Sequence, residues 1–175
     1  MVLAAADTPI RRMVINDIGP FLPWAPMRQI GSRLRAAPQL HDTLAAGEAR
    51  LRTVLAAFGP LTDEQWQHIA KHSFFRAPDG GWRPHYDPGI GDAFRPGRVY
   101  SVSMWHEWDA ITCPVLLLRG EHSDLLLAST ADEMTRRGPP TERVEIPGCG
   151  HAPALLDDGQ LRIVTGWLGS PACAA

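Results

Sequence analysis

The segment Val115-Leu116-Leu117-Leu118 limits the folds open to this chain more than any other. Four consecutive apolar residues predict a strand that is buried on both faces, as in a parallel sheet covered by helices. Met13-Val14-Ile15 and Val144-Glu145-Ile146 are predicted to form two further strands, and helical patterns separate the three. The alternation predicts an α/β fold with a partial parallel sheet of about three strands flanked by helices.

Composition and charge narrow the classes of function. The 175 residues are 45% hydrophobic and 21% charged, as in a globular protein, and the formal net charge is −2. This charge provides no cationic field for nucleic acid or anionic lipid, so we expect a small-molecule substrate, no nucleic-acid partner and no membrane partner. Three scattered cysteines and an N-terminus without a basic segment indicate a reducing compartment, and we predict a cytoplasmic location.

A long helical stretch separates the first two predicted strands. Residues 21–104 are therefore predicted to form an inserted helical unit, and residues 1–20 and 105–175 the sheet-containing core. Within the insertion, Leu44 to Phe58 is predicted as a helix that ends at Gly59-Pro60, and Thr62 and Gln65 have the spacing of a capping box. Residues 78–97 are rich in Gly, Pro and Asp and are predicted to form an irregular loop.

Three titratable residues follow the predicted strands, namely Asp17, Asp124 and His151. The carboxyl ends of parallel strands meet at one edge of a sheet, where functional groups collect. Acyl transfer needs a histidine base and a carboxylate that orients it, and Asp124 is the preferred partner of His151. Asp17 is the second candidate for this carboxylate. It is ranked lower because turn formation before Gly19-Pro20 is by itself a sufficient reason for an aspartate at this position. The alternative interpretation is that all three are ordinary loop residues without a catalytic role.

Three segments of the chain are similar to motifs of a known family and occur in the same order. They are Asn16-Asp17-Ile18-Gly19-Pro20, Arg119-Gly120-Glu121-His122-Ser123-Asp124 and Pro147-Gly148-Cys149-Gly150-His151. In them the chain resembles the C-terminal half of an α/β hydrolase of the cap-domain type. The resemblance implies hydrolysis of an ester, lactone, amide or carbon–carbon bond, with Asp124 and His151 as triad acid and histidine, a cap at residues 21–104 and no cofactor.

The nucleophile that the resemblance calls for is absent from the sequence. No Gly-x-Ser-x-Gly turn occurs, and Cys149 lies in the histidine loop itself. We therefore expect a C-terminal fragment, inactive in isolation, that begins just after the nucleophile, with residues 1–6 as the tail of the next helix. The alternative is a non-catalytic, degenerate hydrolase that acts as an interaction protein or pairs with a separate N-terminal half. A three-stranded sheet also has an exposed edge, which predicts self-association.

Other candidate sites are weaker. Trp24 lies just past the first strand, at the start of the predicted cap, and is predicted to contact substrate. His68 and His72 have a spacing used for zinc, but Ile69 occupies the position of the glutamate in His-Glu-x-x-His, so we predict no metal. The glycine-rich turns do not match a phosphate-binding loop, and no cofactor is predicted.

Overall fold

The computed structural model describes residues 8–35, 40–94 and 100–170, which fall into two compact units. The helical unit is Pro23–Ser101, and the sheet unit comprises the described residues on either side of it. The predicted tail of a helix at residues 1–6 lies outside the described residues.

Seven short strands and six α-helices make up the described chain. The strands are β1 (Met13–Asn16), β2 (Phe21–Leu22), β3 (Phe74–Arg76), β4 (Trp82–Pro84), β5 (Val102–Ser103), β6 (Val115–Gly120) and β7 (Thr141–Ile146). The helices are α1 (Trp24–Arg35), α2 (Leu44–Val54), α3 (Asp63–Ser73), α4 (Trp105–Asp109), α5 (Ala128–Arg136) and α6 (Asp158–Gly169). The described chain also contains two 3₁₀ segments, Ala56–Phe58 and Pro88–Phe94.

The sheet unit contains a three-stranded parallel sheet in the order β1-β6-β7, which confirms the predicted α/β class. Every residue of β6 is buried, as its continuous apolar run predicts for the central strand. One face of the sheet packs on a core cluster with α4 and α5. That cluster consists of Trp108, Val115, Leu117, Leu126, Ala131 and Met134.

The register of the sheet brings the ends of its strands together. Asn16 pairs with Leu118, and Gly120 pairs with Ile146, so β1 ends two residues short of the end of β6 while β7 ends level with it. The backbone N–H of Asp17 donates to Leu118 O at 2.8 Å. The residues that follow β1 and β7 therefore converge on Gly120.

The helical unit contains the predicted capping box. Thr62 accepts from the Gln65 N–H at 3.3 Å, and the Gln65 side chain accepts from the Thr62 N–H at 2.8 Å. The preceding helix, α2, ends at Val54 and continues as the 3₁₀ segment, a few residues before the predicted end at Gly59-Pro60. Thr43 caps its N-terminus by accepting from the Ala46 N–H.

Two antiparallel pairs of strands are absent from the sequence-based prediction. β3 pairs with β4, and β2 pairs with β5. The predicted loop at residues 78–97 therefore contains β4 and the 3₁₀ segment Pro88–Phe94. Strands of two or three residues are too short for an alternating pattern to reveal them, which explains the error.

Candidate functional site

Asp17 lies immediately after β1 in a conformation that few residues adopt. Its φ is 57°, in the left-handed region, where Asp and Asn are the most common non-glycine residues. The residue is fully buried. An ionised carboxylate in such a position needs hydrogen-bond donors, so its contacts identify its role.

Both carboxylate oxygens of Asp17 have a partner at the ends of the neighbouring strands. The backbone N–H of Gly120 donates to Oδ1 at 2.8 Å, and His151 Nδ1 lies 2.9 Å from Oδ2. His151 Nδ1 is also 3.0 Å from the main-chain oxygen of Asp17. These contacts fix the neutral imidazole with its proton on Nδ1 and its lone pair on Nε2.

The two nitrogens of the His151 ring lie in different environments. The hydrogen bond that the imidazole donates to the Asp17 carboxylate raises the pKa of the imidazole, and partial burial opposes that rise. Its side chain is 31% exposed, and Nε2 makes no hydrogen bond to another residue in the part of the chain that is described. Nε2 is therefore accessible for proton transfer.

Asp124 does not form the predicted hydrogen bond with His151; Asp17 forms it instead. Asp124 is exposed, and its charge is only the last of several contributions that raise the pKa of His151. The physical reason lies in the strand ends, because β6 ends at Gly120 and Asp124 follows four residues later, whereas Asp17 directly follows the adjacent strand. The sequence signal for Asp17 as a site residue is its position at the end of a strand. The turn-forming sequence around it favours a structural role instead of a catalytic one.

Arg119 organises the loop that carries Asp124. The guanidinium is buried and donates to the main-chain oxygens of Leu126 at 2.9 Å and Glu121 at 3.2 Å. It also forms an ion pair with Glu145 at 2.8 Å, which contributes to a lowered pKa of that carboxyl, although Arg143 has the larger effect. The prediction missed Arg119, although an arginine directly after four apolar residues in a buried strand is a detectable signal.

Glu121 connects this loop to the histidine loop. The backbone N–H of Gly148 donates to its carboxylate at 2.9 Å, and the Glu121 N–H donates to Ile146 O at 3.0 Å. The His122 N–H likewise donates to Cys149 O at 2.9 Å. The exposed Glu121 side chain therefore links the two loops.

Gly120 permits the close approach of the histidine loop to β6. A Cβ at this position would lie 2.4 Å from Gly150 O and 2.8 Å from Cys149 O, both of which are backbone atoms. Any other residue would push the loop away from the sheet. Gly120 thus acts on the site both through the space that it leaves and through the N–H that it donates to Asp17.

The remaining candidates lie elsewhere. Cys149 is buried, and burial raises the pKa of its thiol, with Asp17 and Glu121 adding to the effect, which disfavours a thiolate nucleophile. Trp24 is 50% exposed at the start of α1, with the Arg28 guanidinium 5.5 Å from its ring centroid. Within residues 8–35, 40–94 and 100–170, no group of three or more His, Cys, Asp or Glu side chains could hold a metal ion.

The helices of the described segments include none that is both long enough and apolar enough to span a bilayer.

Comparison with known proteins identifies the protein family of the chain. The sequence profile described as the alpha/beta hydrolase family matches residues 1–163. The chain therefore belongs to the α/β hydrolase family, and the expected resemblance is confirmed.

Individual relatives agree with this assignment. The chain is 37% identical over 164 residues to a 3-hydroxybutyrate-oligomer hydrolase of Cupriavidus necator, with 89% of this chain and 56% of the relative covered. It is 29% identical over 153 residues to a 2-(acetamidomethylene)succinate hydrolase of Mesorhizobium japonicum, with 86% and 52% covered. The solved structure of an alpha/beta hydrolase from Novosphingobium aromaticivorans superposes with a TM-score of 0.81 at 32% identity, over 95% of this chain and 60% of that one.

The chain spans about half the length of the curated relatives that it matches.

Proposed function

We propose that the chain supplies the acid–base half of a hydrolase active site, with His151 as general base and Asp17 as the carboxylate that orients it. The observation that supports this proposal is the 2.9 Å contact between His151 Nδ1 and the buried Asp17 carboxylate. The Gly120 N–H fixes the other carboxylate oxygen. A histidine that is oriented in this way can accept a proton at Nε2 and return it later in the reaction.

In the proposed mechanism the nucleophile comes from a segment outside this chain. His151 Nε2 removes the proton of a serine-type hydroxyl as the hydroxyl oxygen attacks the acyl carbon, and the leaving group then takes that proton from the imidazolium. A water molecule next loses a proton to Nε2 as its oxygen attacks the acyl intermediate, and the imidazolium gives that proton to the serine-type oxygen as the acid product leaves. The Asp17 carboxylate keeps its hydrogen bond to Nδ1 and stabilises the imidazolium each time it forms.

The names of two relatives support a proposal for the substrate class. The 37% identical relative acts on 3-hydroxybutyrate oligomers, and the second relative acts on 2-(acetamidomethylene)succinate. Both compounds are carboxylic acid derivatives, and the first is a short oligoester. We propose ester hydrolysis of a small acid of this kind first, with amide, lactone and carbon–carbon bonds as alternatives, in the cytoplasm and without a cofactor.

Two further assignments belong to this proposal. The helical unit Pro23–Ser101 acts as the cap, with Trp24 as a residue that contacts substrate. Asp124 is the second candidate for the acid, because its charge contributes to the raised pKa of His151.

Hydrolysis of p-nitrophenyl butyrate tests the proposal. The longer protein would be produced from the reading frame that continues upstream of Met1, provided that this frame encodes a Gly-x-Ser-x-Gly segment. We expect Asp17→Asn to lower kcat by about 10⁴-fold and His151→Ala by about 10⁶-fold, as loss of the corresponding triad member does elsewhere. Asp124→Asn is the matched control and is expected to change kcat less than tenfold.

Each contrary result has a definite meaning. Full activity of His151→Ala would refute the proposed function, whereas a large loss in Asp124→Asn with none in Asp17→Asn would reassign the acid. A stop codon directly upstream of Met1 would favour the non-catalytic interaction protein. Robust turnover by the 175-residue chain alone would show that it contains its own nucleophile.

A further inference from the structure

A cavity of about 650 Å³ lies within the helical unit, among α1, α2 and the β3–β4 pair. Its volume falls in the range of small-molecule binding sites, roughly 300–1,000 Å³. Much of its wall is apolar and would accommodate a hydrocarbon body. This apolar wall is formed by Leu34, Leu51, Val54, Leu55, Phe74 and Pro84.

The polar part of the lining is entirely basic or neutral. Arg33, Arg50, His41 and His85 line the cavity, and among the described residues no Asp or Glu does so. Neither Arg33 nor Arg50 makes a hydrogen bond or an ion pair with another residue of the described segments. Arg52 on the same helix as Arg50 differs, because it pairs with Glu48 at 2.7 Å and with Asp63 at 2.8 Å.

The net charge of the helical unit has the same sign as the lining. Residues 23–101 contain ten Lys and Arg against seven Asp and Glu, a net charge of +3, although the whole chain carries −2. The rest of the chain therefore carries −5. A local cationic field of this kind raises the concentration of anions near the cavity.

One wall of the cavity is held in place by packing. The backbone of His41 forms a bridge with Trp82, with N–H···O distances of 3.0 and 2.8 Å. Its ring packs edge-to-face against Phe74, with 5.4 Å between ring centroids. The residues that would meet a ligand on this side are therefore positioned before it arrives, which favours binding.

We propose that this cavity binds an amphipathic carboxylate, whose hydrocarbon body packs on the apolar wall and whose charged end is bound by Arg33 and Arg50. An arginine guanidinium matches the planar carboxylate with two parallel hydrogen bonds. The choice of a carboxylate over a phosphate rests on the proposed function, since hydrolysis of acyl compounds releases carboxylates. The cavity and its charge do not depend on that function.

Calorimetric titration of the 175-residue chain with octanoate, octanamide and octyl phosphate tests the proposal. We expect octanoate to bind at least tenfold more strongly than octanamide, and 0.5 M NaCl to weaken only the binding of the anions. Arg33→Gln and Arg50→Gln are each expected to weaken octanoate binding about tenfold, with octanamide unchanged. Arg76→Gln removes an exposed charge of the same unit outside the cavity and is expected to have no effect.

The following results would overturn the proposal. Equal affinity for octanoate and octanamide, no octanoate binding at millimolar concentration, or equal losses in Arg76→Gln and the two cavity variants would exclude the site. Stronger binding of octyl phosphate than of octanoate would overturn the assignment of a carboxylate. Because the titration measures binding without turnover, its failure would leave the proposal for Asp17 and His151 unaffected.

Discussion

At the residue scale, Asp17 shows why a turn-forming residue and a site residue are not exclusive interpretations. The sequence pattern around Gly19-Pro20 explains its left-handed conformation, and the same conformation accompanies a buried carboxylate directed at His151. Sequence reasoning identified His151 through its motif and strand-end position. It ranked Asp124 above Asp17, whereas the structure places Asp17 beside His151, because the geometry depends on which strands are neighbours and how far each loop extends.

The first prediction concerns the protonation of His151. Asp17→Asn removes the largest contribution to the raised pKa of the imidazole, whereas Asp124→Asn removes the smallest. In an NMR titration of the ring protons we expect a midpoint above 6.5 in the unaltered chain, a clear decrease in Asp17→Asn and little change in Asp124→Asn. A larger decrease in Asp124→Asn would contradict the geometry of the site.

The same pKa shift predicts how stability depends on pH. Folding raises the pKa of His151, so the protonated imidazole stabilises the fold fully below the unfolded pKa of about 6.5. This contribution is lost as the pH rises through the higher folded pKa. Urea denaturation between pH 6 and pH 9 should show the loss in the unaltered chain, and a smaller one in Asp17→Asn. An identical pH dependence in the two proteins would contradict the prediction.

Gly120 gives a prediction that depends on shape alone. Gly120→Ala places a methyl group against the backbone of Gly150 and Cys149, so we expect the free energy of unfolding to fall by about 1–3 kcal/mol. Gly166→Ala is the matched control, because a Cβ there meets no atom within 4 Å and lies on a helix. The control should gain about 0.5–1 kcal/mol in urea denaturation. Equal effects of the two substitutions would refute the close-approach argument.

At the scale of the element, long segments were predictable and short ones were not. The three parallel strands and the helices with clear caps follow from apolar runs and from capping residues such as Thr62. The β2–β5 pair joins distant parts of the chain, and β3 and β4 are close in sequence but only three residues long, so no local pattern specifies either pair. The cavity of the helical unit also escaped prediction, since its lining comes from several separate segments.

The capping box of α3 provides a test at this scale. Thr62→Ala removes the acceptor for the Gln65 N–H, and we expect a loss of about 1 kcal/mol in the free energy of unfolding. Thr62→Ser keeps the hydroxyl and should retain most of the stability. Circular dichroism during urea denaturation measures both variants. A serine variant as unstable as the alanine variant would mean that the hydroxyl has no part in the effect.

At the scale of the whole molecule, β1 is an edge of the described sheet. Its residues are only partly buried, while those of the central strand β6 are fully buried. Asn16 donates to Pro153 O at 2.9 Å, yet its side-chain oxygen is buried without a hydrogen-bond partner among the described residues. An edge of this kind favours pairing with another polypeptide, which is the physical basis for the predicted self-association.

Proline can test that edge without disturbing the sheet. The N–H groups of Met13 and Asp17 donate to the β6 side, so alternation directs the N–H of Val14 outward. We expect Val14→Pro to shift the chain toward monomer in sedimentation velocity, because it removes an outward donor and leaves the β1–β6 hydrogen bonds in place. Val14→Ala keeps the donor and should still associate. A concentration-independent monomer in the unaltered chain would refute the prediction.

The β2–β5 pair has a consequence for how such a protein can change over evolutionary time. Phe21 pairs with Ser103 and Leu22 with Val102, so the chain leaves the sheet unit and returns to it at neighbouring points. A segment whose two ends are held together can be lengthened, shortened or exchanged as a cassette, while the strands that carry Asp17, Gly120 and His151 keep their register. Ligand preference could then diversify between descendants by recombination at these two junctions, with the proton-transfer residues inherited unchanged.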